Sequence, residues 1–355
     1  MIRLFLTPLD VWLFRDGKPF DAHSDHHAQS LFPPYPTVMQ GVIRSHQLVR
    51  QGVDLWDRDA IRQAVGDAEN YGNLRLRGPF VAQCKENPIL YFPQPANAHT
   101  VDEKQHTFKP ASPPMMTSPT VITNSPTPYL LGLNDESQKP ETGLWVSLQD
   151  LRNYLQGATV TGIPAHCLFE REARVGIARN DTTHTTEEGM LYEVDFIRPQ
   201  PGIGLYVEME GYEGWSSGAL RIGGEGHGAQ FEPVTAVEWP VIPNPLPALF
   251  KIYFTTPTYF TKGWQPESWD KFFDGGIELV AAAVGRYESL GGFDWASGRH
   301  KPARRYVPAG SVYYFKSQGT ASLKPGLTQN AITDLGAEIG FGQIIITEWK
   351  ENGHV

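Results

Sequence analysis

Residues 286–305 hold the densest group of side chains able to grip a polyanion. Arg286, Arg299, Lys301, Arg304 and Arg305, with His300, meet only Glu288 and Asp294 in that stretch. Guanidinium forks match the geometry of phosphate oxygens and bind them bidentately. Tyr287, Phe293, Trp295 and Tyr306 interleave with the cations and offer flat faces to unpaired bases. The chemistry such a segment supports is capture of a nucleic-acid backbone. A solvated charged loop beside core aromatics has the same composition, so both readings stand on local sequence.

Further residues extend that chemistry. Arg171, Arg174 and Arg179 lie in a strand-like stretch. Strand alternation puts Glu170, Glu172 and Arg174 on one face and Arg171 on the other. Arg174 either reaches RNA from the sheet face or pairs with Glu172. Arg44 follows Gln40 by one helical turn and either contacts RNA or anchors its helix, with anchoring favoured. Gly223-Gly224 and Gly340-Phe341-Gly342 can adopt positive φ and turn successive amides toward a phosphate. Most such turns are only turns. No GxxxxGK[ST] is present, and 224–228 lacks dinucleotide spacing. His23, Asp25, His26 and His27 suggest a metal, but adjacent histidines point apart, and an exposed polar loop is the better reading. His26, His46, His166 and His300 are formal general acid–base candidates for metal-independent RNA cleavage. None has a recognisable partner in sequence, so no catalytic residue, metal or cofactor is assigned.

These residues need a frame to hold them. The chain has 355 residues with 40 % apolar content, enough for a packed core and two domains. Thirty-five Gly and 29 Pro favour strands and ordered loops over long helices. The net charge of −9 argues against a generally basic binder. Screening confines charge effects to roughly 8 Å, so a local basic face can still hold RNA. Two isolated cysteines, Cys84 and Cys167, make neither a disulfide framework nor a zinc site. The N-terminus has no leader pattern and no stretch is long and apolar enough to span a membrane, so a cytoplasmic, non-membrane protein is expected.

Helical spacing predicts a helix from Thr37 with Val38, Val42, His46 and Val49 on one face, stopped at Gly52. A short helix is expected over 60–68. Ser147 and Asp150 resemble a capping box opening a third helix that ends at Gly157. Strands are expected over 2–14 with a break at Thr7-Pro8, and over 74–82, 89–92, 171–178, 190–198, 203–210, 219–222 and 248–255. Residues 93–128 read as a long ordered insertion and 240–247 as a stiff linker. The pattern gives an α+β chain of two units, 1–240 and 246–355, each a split βαβ layout.

Five stretches then carry a resemblance. They are Phe32-Pro33-Pro34-Tyr35-Pro36-Thr37-Val38-Met39-Gln40-Gly41-Val42-Ile43-Arg44; Glu172-Ala173-Arg174-Val175-Gly176-Ile177 with 185–192; and Leu220-Arg221-Ile222-Gly223-Gly224-Glu225-Gly226. Gly291-Gly292-Phe293-Asp294 with 301–313, and Gly340-Phe341-Gly342, complete the set. In this order the chain resembles the RAMP superfamily (repeat-associated mysterious proteins) and, within it, the third-subunit family of the Cmr (type III-B CRISPR) effector complex, over about 1–349. The resemblance implies two ferredoxin-like (RRM-like) domains with Gly-rich loops and long loop insertions. It implies a non-catalytic subunit in antiviral defence that caps the 5′ tag of the guide RNA. It further implies contacts with the large polymerase-like Cmr subunit and the adjacent backbone RAMP subunit. The candidate RNA-binding set becomes Arg44, Arg171, Arg174, Gly223, Gly224, Arg299, His300, Lys301, Arg304, Arg305, Gly340, Phe341 and Gly342. A metal-independent endoribonuclease processing guide precursors, and a protein–protein scaffold, are the competing functions.

Overall fold

The computed structural model describes residues 1–15, 27–84, 87–116, 126–132, 141–179, 182–183, 185–294 and 299–351. It is a mixed α/β chain, dominated by antiparallel sheets with few helices. No helix among the described residues is long and apolar enough to cross a membrane.

Two compact units form, each from interleaved segments. The first comprises Met1–Pro88, His166–Ala236 and Ser289–Arg304; the second comprises Ile89–Ala165, Val237–Glu288 and Arg305–Val355. The linear division at 240–247 therefore differs from the contacts. The reason is physical: residues 89–165 bury their own apolar and phenolic side chains with the C-terminal segment, as shown below.

In the first unit, the strand Ile2–Pro8 lies between Ile203–Glu210 and Gly228–Pro233, antiparallel to both. Arg75–Gln83 extends the sheet beyond Ile203–Glu210, and Gly218–Arg221 extends it beyond Gly228–Pro233. Alternation sends Leu4, Leu6, Leu76, Leu205, Val207 and Met209 to one face, where a helix covers them. That helix, α1 (Pro36–Gln51), starts with proline in its first turn after extended Tyr35. It ends at Gly52, whose φ of 63° lets its amide and that of Val53 cap the last carbonyls. Its buried stripe is Met39, Ile43 and Gln47, with Pro36 and Gln40. The expected face through Val38, Val42 and Val49 is off by one position, and Val49 is exposed. Helix α2 (Arg58–Val65) is capped by the Asp57 carboxylate, which accepts from the amides of Asp59 and Ala60. A long hairpin, Phe169–Arg179 with Thr186–Pro199, is tied to the unit where Trp12 and Ile197 exchange backbone hydrogen bonds of 2.9 and 2.8 Å.

In the second unit, four antiparallel strands run in the order Ile277–Ala283, Val312–Ser317, Leu249–Phe254, Ile344–Glu348. Phe250, Ile252, Phe254, Tyr313, Phe315, Ile344 and Ile346 point into one aromatic-rich core. The expected helix is not seen here: among the described residues of 237–351 only 3-10 turns occur, at Trp269–Lys271, Thr328–Asn330 and Ala337–Ile339. The connections explain it. Pro257, Gly263, Pro266 and Gly275-Gly276 interrupt one, and Pro325, Gly326, Gly336 and Gly340 interrupt the other.

The opposite sheet face receives the 89–165 segment. Tyr253 donates to the Pro93 carbonyl at 2.5 Å, Asn97 Nδ2 donates to Tyr314 Oη at 2.6 Å, and Tyr154 Oη donates to Asn97 Oδ1 at 2.9 Å. The segment is more regular than an insertion loop. Ala98–Asp102, Thr107–Pro110 and Val160–Thr161 pair into a small sheet, and Leu144–Ser147 leads into α3 (Leu148–Leu155). Ser147 caps α3 as expected, accepting from the Asp150 amide and donating to its carboxylate.

Lys251 sits on this covered face with 5 % exposure, and its ammonium lies 6.0 Å from the centre of the Tyr314 ring. Burial lowers its pKa from 10.5 to about 8. The unfolded chain therefore binds more protons than the folded one between about pH 8 and 10.5, and stability rises with pH in that window. Lys251→Met should raise stability at pH 7 by about 1–3 kcal/mol and flatten the profile between pH 8 and 10, measured by urea unfolding. A variant that is destabilised would show that the ammonium has a stronger partner than the ring.

Candidate nucleic-acid interface

Glu288–Asp294 and Arg299–Tyr306 pair as a two-stranded ribbon. Residues 300–305 are all exposed, so both faces of this strand meet solvent. Alternation places His300 and Arg304 on one face and Lys301 and Arg305 on the other. Arg299 continues the strand by its backbone. The partner strand contributes little bulk: a side chain at Gly291 would touch Ala303 at 3.8 Å.

The ribbon is anchored at its base. Tyr306 is buried and packs on Phe341 at 4.9 Å and on Tyr259 at 5.4 Å. Val307 and Thr258 exchange backbone hydrogen bonds of 2.8 and 2.9 Å. Next to the anchor, the Arg305 guanidinium lies 4.6 Å from the Tyr287 ring centre, and Tyr287 is half exposed. A guanidinium over an accessible phenol offers both a phosphate fork and a stacking face. Of the other expected aromatics, Tyr306 is core. Trp295 and the Phe293 side chain lie outside the described residues.

The other candidate arginines, Arg44, Arg171 and Arg174, are engaged within the protein. Arg174 donates to Glu172 at 2.7 Å and to Asp10 at 3.4 Å, and lies 4.8 Å over Phe196. Arg198 donates to the second Glu172 oxygen at 2.5 Å and to Asp10 at 3.1 Å. Hydrogen bonds from Arg198 and Arg174 hold the Glu172 carboxyl below its usual range. Asp10 and Arg198 were not foreseen, because Asp10 is 164 residues from Arg174 in the chain. Arg171 donates to the Ser30 carbonyl at 2.6 Å. Arg44 donates to Gln40 at 3.0 Å and to the Asp67 carbonyl at 2.9 Å, and lies over Tyr71. Burial lowers its pKa. Arg44 thus ties α1 to the chain after α2.

The glycine turns also spend their polar groups internally. The amides of Gly340, Phe341 and Gly342 donate to Ala337, Gly336 and Pro257 carbonyls. Phe341 is buried. Gly342 has φ 69°, and a Cβ there would meet the Ile332 carbonyl oxygen at 2.6 Å. The Gly224 amide donates to the Leu13 carbonyl at 2.8 Å, and a Cβ at Gly223 would meet that same oxygen at 2.4 Å. The close backbone approach that requires glycine is to the protein's own chain, and the expected phosphate-facing amides of 340–342 are already bonded.

Among the described residues no group of three or more metal-ligating side chains converges. His23, Asp25 and His26 lie outside the described residues, as does the side chain of His27. His46 packs on Trp215 at 4.8 Å and on Phe231 at 5.2 Å, with its pKa lowered by burial and then by Arg50. His300 and His166 are exposed. One histidine–carboxylate contact was not foreseen: His106 Nδ1 lies 2.7 Å from Glu141. Thirty-five residues separate them, and no sequence spacing signals the pair.

The fold and the exposed basic ribbon agree with what the comparisons give, a RAMP-like CRISPR subunit. A family model described as CRISPR-associated protein (Cas_Cmr3) matches residues 4–349. The chain belongs to this family and is a subunit of a type III CRISPR effector complex. No curated protein matches it. Among the similar solved chains, two share a TM-score of 0.52 and cover 88 % of this chain and 86 % of their own length. One is from the type III-B Cmr-beta complex bound to cognate target RNA and AMPPnP, at 14 % identity. The other is from Cmr-beta bound to cognate target RNA, at 15 % identity. Likeness at that identity speaks for the fold.

Two outcomes follow. Arg174→Ala should leave RNA affinity within about twofold, because its guanidinium is already paired; a larger loss in anisotropy titrations would put the long hairpin in the interface. Gly342→Ala should cost about 2–4 kcal/mol from positive φ and steric overlap, seen as a lowered urea midpoint.

Proposed function

We propose that this chain is the RNA-holding, non-catalytic subunit of a type III-B effector complex, capping the 5′ tag of the guide RNA. The observation that carries the reading is the exposure of every residue from 300 to 305 in an acidic protein. Lys301, Arg304 and Arg305, with Arg299 and His300, grip the tag backbone. Tyr287 supplies the stacking face. Arg44, Arg171, Arg174, Gly223, Gly224, Gly340, Phe341 and Gly342 shape and brace the frame. In this reading the subunit also bridges the large polymerase-like subunit to the adjacent backbone RAMP subunit.

The strand orders support a ferredoxin-like ancestry for both units. Numbering the core strands of each sheet in chain order, both run 4-1-3-2 and antiparallel. That is the order of a split βαβ repeat. The first unit retains α1 between its first two core strands, and the second uses 3-10 turns where helices would pack.

Anisotropy of a labelled, tag-bearing guide RNA, titrated with the assembled complex in EDTA across a salt series, tests this reading. Arg304→Ala with Arg305→Ala should weaken binding about tenfold and reduce the salt slope by about 1.4, since each lost single-strand phosphate contact removes about 0.7. Unchanged affinity and slope would remove the ribbon from the RNA path.

The endoribonuclease reading has one observation of its own, the His106–Glu141 pair, because a carboxylate orients an imidazole for proton transfer. Incubation of a repeat RNA in EDTA should give no discrete product with either wild type or His106→Ala. A product lost in the variant would establish cleavage instead.

A further inference from the structure

The long hairpin, Phe169–Arg179 with Thr186–Pro199, leaves one edge bare. Thr186–Pro199 lies in the middle of its sheet, and Phe169–Arg179 is the outer strand among the described residues. Two contacts fix which backbone groups of that strand face outward. Ile197, opposite Arg171, spends both its amide and its carbonyl on Trp12, so neither reaches across to Arg171. The Gln200 amide donates to the Leu168 carbonyl at 2.8 Å, which makes Glu170, Glu172, Arg174 and Gly176 the residues bonded across the hairpin. The register runs unbroken to Ile177. Arg171, Ala173, Val175 and Ile177 therefore turn their N–H and C=O groups away from the hairpin, and all four residues are exposed. Their side chains share one sheet face, where Val175 is 65 % exposed and Ile177 54 %.

The row of backbone groups selects what covers it. A phosphate accepts from the amides but has nothing to donate to the carbonyls that alternate with them. An extended main chain supplies both, at the same repeat of about 6.8 Å for every second residue. Proteins guard bare edges with Lys, Pro or a bulge. Residues 169–179 contain neither Lys nor Pro, no bulge precedes Ile177, and the outward positions after Arg171 are Ala, Val and Ile. The exposed strand 300–305 of the ribbon is built the other way, with cations at four of its six positions if His300 is counted. We propose that the outer edge of Phe169–Arg179 receives a β-strand from a neighbouring protein subunit of the effector complex, whose alternate apolar side chains pack on Val175 and Ile177. Main-chain hydrogen bonds supply the hold, and those two side chains set the register. The inference rests on membership of that complex and not on the RNA contact of the ribbon.

Hydrogen exchange tests the edge directly. The complex is reconstituted from purified subunits, first without and then with guide RNA, and peptides covering 169–177 and 286–306 are followed independently. The amides of 171, 173, 175 and 177 should slow on protein assembly, before RNA is added. Ala173→Pro removes one outward N–H and no bond of the hairpin, because proline is tolerated where an edge N–H faces solvent. It should raise the assembly Kd about tenfold and leave the melting of the isolated chain as in wild type. Val175→Lys with Ile177→Lys keeps every backbone bond and should weaken assembly to a similar degree, so the test does not depend on the proline being accommodated. Exchange at 169–177 that is unchanged in the full complex, or that slows only when RNA is added, would overturn the proposal. So would an assembly Kd within twofold of wild type for the lysine variant, or a homodimer of the isolated chain that this variant abolishes. Exchange at 286–306 reports on the RNA reading separately, so either can fail alone.

Discussion

The central strand Leu249–Phe254 is buried on both faces, and much of the second unit follows from that burial. Phe250, Ile252 and Phe254 fill one core, where the Phe250 and Phe315 rings stack 5.1 Å apart. Lys251 and Tyr253 face the other side, where tyrosines and Asn97 bond the 89–165 segment to the sheet. Unpaired buried phenols are costly, so these hydrogen bonds fix where the segment lies. Once it is fixed, the chain must cross between units more than once. Val307 belongs to this core, and Tyr306 beside it, the last residue of the basic strand, packs on Phe341.

Four arginines away from the ribbon serve the protein's own frame. A guanidinium that already bridges carboxylates or carbonyls has little to offer a phosphate. Arg44, Arg171, Arg174 and Arg198 spend their donors on the protein, joining segments distant in sequence. On the ribbon, Arg305 has the Tyr287 ring beside it and remains exposed. An acidic chain can hold RNA in this way because screening makes the field near the ribbon a local matter.

Local rules made the helices legible in the sequence. Pro36 and Gly52 bracket α1, and Ser147 with Asp150 opens α3, because caps are properties of adjacent residues. The cations of 299–305 were legible as a dense run, but their pairing as a two-stranded ribbon was not. The buried face of α1 was misjudged by one position, since Val38 and Val42 border the stripe that Met39 and Ile43 fill. The interleaved units were not legible. They depend on Asn97 meeting Tyr314 across 217 residues, and nothing local announces that contact. Glycines 223, 224 and 342 left both a phosphate contact and a plain turn open, because a glycine needed for the protein's own backbone looks the same in sequence as one needed for a ligand.

Photocrosslinking of tag-bearing guide RNA in the assembled complex, with crosslinked peptides sequenced by mass spectrometry, addresses the central claim most directly. Stacked and contacted bases should crosslink within residues 286–306, with Tyr287 and Lys301 foremost. Crosslinks confined to 223–228, 340–343 or the long hairpin 169–199, with none on the ribbon, would contradict the account.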